Sequence, residues 1–213
     1  MSSPSQLRVV GIDSGYARTG VGELTYDLER GQVVALTTRL ERSHPPLNPS
    51  DEETAARFTR MARRTVPAGE RTTCASCGHT ATATPRDVAL VVLEGPAFGV
   101  KSPNAHEGSG YWWSVRKLLA TRGIPTARVN PMHLKQWACD RGNATDDQLA
   151  YALQQLWPGV MAPDTDQVDG GLLALIGGAW LGWHRLGPRP LVQARHLAKM
   201  SWPGVIAARA VAR

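Results

Sequence analysis

Long apolar runs are missing from this sequence, cysteines are scarce, and acidic residues disappear from its C-terminal part. The longest apolar candidate, Leu172 to Trp183, falls short of the roughly 18 residues that would span a bilayer, and suits a buried helix. Met1 to Gln6 has neither the basic start nor the apolar stretch of a secretory signal, so the expected location is the cytoplasm. Cys74, Cys77 and Cys139 cannot form an even set of disulfides. They read as thiols, metal ligands or core residues in a reducing compartment.

The formal net charge is +6, and its distribution says more than its size. No Asp or Glu occurs from Gly170 to Arg213, whereas Arg185, Arg189, Arg195, Lys199, Arg209 and Arg213 are basic. These residues account for the whole net charge, because the remaining 18 basic residues match the 18 acidic ones. Such a segment suits a polyanion such as DNA, where each neutralised phosphate releases counterions. A solubilising tail is the alternative, and Pro188, Pro190 and Pro203 make part of it irregular.

At 213 residues the chain accommodates one α/β domain with appendages. Leu7 to Asp13 reads as a strand, Ser14 to Gly20 as a tight turn, and Val21 to Tyr26 and Gln32 to Arg39 as a hairpin continuation. Ser50-Asp-Glu-Glu opens a helix that continues to Arg64. Residues 66–86, rich in Thr and Ala, read as an insertion. Val88 to Leu93 is a continuous run of β-formers, the pattern of a central parallel strand buried on both faces. Helices over Tyr111 to Arg122, Pro131 to Cys139, Thr145 to Leu156 and Asp164 to Trp183, with a strand over Ile124 to Val129, complete a mixed sheet flanked by helices.

A carboxylate at the end of a buried strand needs a reason, since an isolated ion there is strongly penalised by desolvation. Asp13 and Glu94 are two such residues, and they converge if their strands are parallel neighbours. Asp166 and Asp169 lie three apart at the start of an apolar helix and share a face. Converging carboxylates repel unless a cation sits between them, and oxygen donors without His or Cys favour magnesium or manganese. Two such ions would support phosphodiester hydrolysis. Asp13 as a turn residue and Asp164 to Asp169 as helix-capping acids are the structural alternatives.

Gly11-Ile-Asp13-Ser-Gly15 followed by Thr19-Gly-Val-Gly22 resembles the first strand and turn of the RuvC Holliday-junction resolvases. Leu93-Glu94 is similar to that family's second acidic position, and Val129-Asn-Pro, Leu134-Lys-Gln136 and Gly142-Asn-Ala144 to the stretch before its final helices. Asp166-Gln-Val-Asp169 resembles its closing acidic motif. The resemblance spans roughly Arg8 to Leu181 without the insertion. It implies a ribonuclease-H-like α/β fold with a five-stranded mixed sheet over residues 1–183, and a basic extension over 184–213. It also implies a homodimer that incises branched DNA with magnesium or manganese, two ions per site, held by Asp13, Glu94, Asp166 and Asp169, with Lys135 at the DNA. Ser14 stands where the family has proline, and Asp146 and Asp147 follow Ala144 where it has another lysine.

Phe98, near the second acid, is a candidate to stack on an unpaired base, with loop packing as the alternative. Tyr111-Trp112-Trp113 precede Arg116 and Lys117; this group reads as a DNA-facing surface or, for the tryptophans, as a buried dimer interface. Cys74, Cys77 and His79 are half of a zinc-ribbon pattern without a fourth ligand. The composition and the idiosyncratic insertion fit a phage enzyme from a high-GC source. Flaps, forks and RNA/DNA hybrids are alternative substrates, and an inactive junction-binding scaffold is the non-enzymatic one. An actin-like kinase half would need a second phosphate-binding motif and a longer chain.

Overall fold

The computed structural model describes residues 4–44, 49–69, 71–73, 76–78, 80–82, 84–96, 105–184 and 187–204. Strands β1 (Gln6–Ser14), β2 (Arg18–Asp27) and β3 (Gln32–Arg42) form an antiparallel meander. The β1–β2 turn is tighter than the sequence suggests. Thr19 and Gly20 already pair with Ser14 and Asp13, leaving only Gly15-Tyr16-Ala17 between the strands.

Helix α1 (Asp51–Thr65) starts at a capping box in which Ser50 and Glu53 satisfy each other's backbone N–H groups. Within the insertion, β4 (Arg71–Thr73) and β5 (Thr80–Thr82) make a separate small hairpin. The central strand β6 (Val88–Glu94) runs parallel to β1 and to β7 (Thr126–Val129), giving the sheet order β3-β2-β1-β6-β7. This fulfils the reading of Val88 to Leu93 as a doubly buried strand: every residue from Leu90 to Leu93 is fully buried.

Helix α2 (Ala105–Thr121) begins well before Tyr111. With α1 it covers one face of the sheet, where Val10, Ile12, Val21, Val91 and Leu93 meet Phe58, Met61, Tyr111 and Val115. Helices α3 (Pro131–Cys139), α4 (Asp146–Leu156) and α5 (Thr165–Trp180) build the other core with Val9, Leu24, Leu90 and Val92. A last helix, α6 (Pro190–Leu197), lies inside the basic extension where the prolines suggest irregular chain. Pro190 is its first residue, a position where proline's missing N–H is no loss.

The α5 face of the sheet is unusually flat. A Cβ on Gly11 would sit 2.1 Å from the Gly170 carbonyl oxygen, and one on Gly20 would sit 1.6 Å from that of Asp166. Glycine at these positions lets the start of α5 press directly on β1 and β2.

Candidate metal and nucleic-acid site

Period-two alternation decides which side chains reach the α5 face. Val9 packs in the α5 core while Val10 and Ile12 face α1 and α2, so Gly11 and Asp13 fall on the α5 side. On β6 the same rule places Leu90, Val92 and then Glu94 on that side. Because Ile12 is in register with Leu93, Asp13 and Glu94 end up side by side at the C-terminal edge of two parallel strands. The first turns of α5 bring Asp166 and Asp169 over the same edge, since the glycines of β1 and β2 admit no spacer. The structure therefore gathers all four acids expected from the sequence.

Their electrostatics are those of crowded, partly dehydrated anions. Burial, the Glu94 charge and a side-chain hydrogen bond to Glu94 hold the Asp13 carboxyl well above the usual range. Burial pushes Glu94 up to about 7, with the shared hydrogen bond to Asp13 opposing the rise. Asp169 is also raised to about 7, by burial first and then by Asp13 and Asp146. Burial raises Asp166 as well, against the pull of Arg18. Lys135, from α3, is close enough to favour the charged forms of both Glu94 and Asp169. Its helix starts straight after β7, capped by Asn130, whose side chain accepts from the Met132 N–H at 2.9 Å. Glu94 pairs with Val129 at the end of that strand, which carries Lys135 to the acids.

Two acids are committed to partners that the sequence did not reveal. Arg18 Nε donates to Asp166 Oδ2 at 2.9 Å, while the other end of the guanidinium binds Asp164. Asp164 also caps α5, accepting from the Asp166 N–H at 3.2 Å. With Asp13 turned to Glu94 and Asp166 to Arg18, no group of three or more His, Cys, Asp or Glu side chains among the described residues is arranged to hold a metal ion. The donor set itself fits a hard divalent cation: it is all carboxylate, and its proton affinities are raised by burial first and by the neighbouring acids second.

The remaining candidates divide. Tyr111 and Trp112 are buried within the chain, Tyr111 against Phe58, and the Trp112 Nε1 donates to the Glu94 carbonyl oxygen at 2.7 Å. Their burial thus needs no partner subunit. Trp113, by contrast, is 63% exposed. Arg116 stacks over the Trp112 ring at 5.7 Å, and Lys117 is exposed on the same helix. Phe98, Cys74 and His79 lie outside the described residues, and Cys77 is exposed.

No protein-family model matches the chain, and no curated protein does. Among solved structures, RuvC of Thermus thermophilus superimposes with a TM-score of 0.52 at 20% identity, over 83% of this chain and 97% of that one. The T. thermophilus RuvC in complex with Holliday junction substrate gives 0.51 at 17% identity, with the same coverage of each chain. Their shared architecture identifies the five-stranded sheet and its flanking helices as the ribonuclease-H-like fold of RuvC.

Proposed function

We propose that the chain is a divalent-metal-dependent DNA endonuclease that resolves four-way junctions, acting as a homodimer with one acidic site per subunit. The observation that carries this reading is the meeting of Asp13, Glu94, Asp166 and Asp169, on three different elements, beside Lys135. A carboxylate cluster with such raised proton affinities destabilises the fold unless it serves a cation. The fold shared with a RuvC that was solved on Holliday junction substrate supports branched DNA as the substrate.

Asp13, Glu94, Asp166 and Asp169 would hold magnesium or manganese, which when bound makes water a better nucleophile and offsets charge on the leaving oxygen. Asp13, Glu94 and Asp169, all raised above the usual carboxylate range by burial, must be ionised to act as ligands. Lys135 favours that ionisation and offers an ammonium to the phosphate as negative charge builds on it. Arg18 holds the start of α5 by its two aspartates, fixing where Asp166 and Asp169 stand. Trp113, exposed on α2, is the side chain we assign to the subunit contact.

The test is incubation of purified protein with labelled four-way junction, fork, flap and linear duplex, with and without magnesium, beside Asp13→Asn. Paired, magnesium-dependent nicks on the junction that vanish in the variant are the expected result. Binding of junctions without incision would replace this reading with that of a scaffold.

A further inference from the structure

Against the β1–β2 turn, Arg42, Ser43, Arg57, Arg60, Arg63 and Arg64 line an open hollow of about 470 Å³. Arg57 is only 4% exposed, which is rare for an arginine. Its Nη1 donates to the Tyr16 carbonyl oxygen at 3.0 Å, and its guanidinium lies 5.6 Å from the Tyr16 ring centroid and 4.9 Å from that of Phe58. Its Nε has no hydrogen-bond partner. Among the described residues, no carboxylate lies within ion-pair distance of Arg57, Arg60 or Arg63; the acids at the hollow's edge are Glu41, 3.6 Å from Arg64, and Asp164, 4.0 Å from Arg42.

A buried guanidinium with an unused donor and no counterion is costly, and three or more arginines facing one another raise that cost. An anion in the hollow offsets both. Arg57, Arg60 and Arg64 follow an i, i+3, i+7 pattern along one face of α1, a length of about 10 Å of helix. A nucleic-acid strand carries a charge about every 3.4 Å of duplex axis, so this face matches more than one phosphate, whereas a single small anion would leave part of it unpaired. Glu53, one turn before Arg57 in the acidic first turn of α1, is engaged in the capping box, where its carboxylate accepts from the Ser50 N–H at 2.8 Å.

The hollow is linked to the candidate active site through two contacts. Tyr16, which holds Arg57, is three residues from Asp13, and Arg42 reaches towards the same Asp164 that Arg18 binds. We infer that the hollow formed by α1 and the end of β3 takes backbone phosphates of a DNA arm flanking the incision point. This inference rests on the DNA reading of the acidic site, and assigns the second surface over which the substrate is held.

The experiment measures junction binding as a function of salt, without divalent metal, in chains carrying Asp13→Asn. Arg60→Ala with Arg63→Ala changes exposed side chains only, so folding is preserved. Expected is a log–log salt slope shallower by about 0.9 for each phosphate that the variant no longer neutralises, with weaker binding at every salt concentration. Arg60→Lys with Arg63→Lys should keep most of the slope. An unchanged slope in the alanine pair overturns the inference while leaving junction cleavage by the parent chain intact. A reduced slope in a parent chain that binds but never cuts supports the hollow and removes the nuclease reading instead. Thermal melts with inorganic phosphate against chloride at equal ionic strength form the other arm. If phosphate stabilises the parent and not the alanine pair, yet the chain binds no DNA, the hollow is a free-anion site and the inference fails.

Discussion

Arg18 and Asp166 are held together at 2.9 Å although 148 residues separate them in the chain. The same guanidinium binds Asp164, so one side chain from the start of β2 clamps the start of the helix that carries Asp166 and Asp169. On the proposed function, a cation entering the acidic centre would compete with Arg18 for Asp166. Arg18→Ala should therefore lower the magnesium concentration needed for half-maximal incision several-fold, while lowering the maximal rate because α5 loses its clamp. Metal titrations of cleavage on a fixed junction separate the two effects. A higher metal requirement in the variant would show that Arg18 assists metal binding rather than competing with it.

Gly20 sets the distance between that helix and the sheet. Its Cβ position lies 1.6 Å from the Asp166 carbonyl oxygen and 2.9 Å from the Gln167 nitrogen, both backbone atoms that cannot turn aside. Gly20→Ala should cost about 3 kcal/mol or more, the upper range for overpacking. Any folded fraction should be unable to incise, since α5 must shift with its carboxylates. Thermal unfolding combined with the junction assay checks this; a variant of parental stability and activity would mean that α5 is free to move outward.

The acids also make stability depend on pH. Glu94 and Asp169 bind protons near pH 7 in the folded chain, against ordinary values near 4 when unfolded. Between those values the folded state holds more protons, so stability falls as pH rises. In chelator, the cluster's contribution to stability is fully present below the ordinary carboxylate range, and the chain should lose roughly 2 kcal/mol or more between about pH 5 and pH 8. Magnesium should restore most of the loss at the alkaline end, by binding the ionised folded form. Asp169→Asn removes one repelling charge and should flatten the metal-free profile. Melting temperatures across pH, with chelator or magnesium, give the comparison; a profile that rises with pH in chelator would contradict the cluster's electrostatics.

The acidic tetrad was legible because each member sits at an element boundary where a buried or capped position makes a carboxylate conspicuous. Asp13 and Glu94 end strands of apolar residues, and Asp166 and Asp169 open an apolar helix. Parallel pairing of β1 and β6 follows from the uninterrupted β-forming run of Leu90 to Leu93. Arg18 could not be found this way, because its role depends on partners brought near only by folding. The start of α2 was hidden by Gly108 and Gly110, which read as loop but lie within the helix. The arginines of α1 carry no sequence signal beyond their place in a helix, and only burial of Arg57 distinguishes them. In α6, proline signalled irregular chain where it in fact begins a helix.

The basic extension that contains α6 is tied to the body of the fold. Trp202 stacks on Trp180 at 4.6 Å between centroids and 7° between planes, and its Nε1 donates to the Leu197 carbonyl oxygen at 2.9 Å. Arg189 donates to the carbonyl oxygens of Ala138 and Cys139 at the end of α3, and Arg195 and His196 lie 3.3 and 3.5 Å from Asp140. Backbone pairing of Ser201 with Arg128 adds a strand-like link at the sheet edge. These interactions make residues 189–202 part of the core of α3 and α5, so several of the basic residues there serve packing before any DNA. Trp202→Ala should lower stability by about 2 kcal/mol, through removal of a half-buried aromatic and its stack. Deletion of 185–213 should lower it further, because Leu197 is removed and the α3 surface beneath it becomes exposed. Thermal melts and junction-binding titrations of both variants make the comparison. A truncated chain that melts like the parent but binds DNA more weakly would instead make the extension a separable DNA-binding tail.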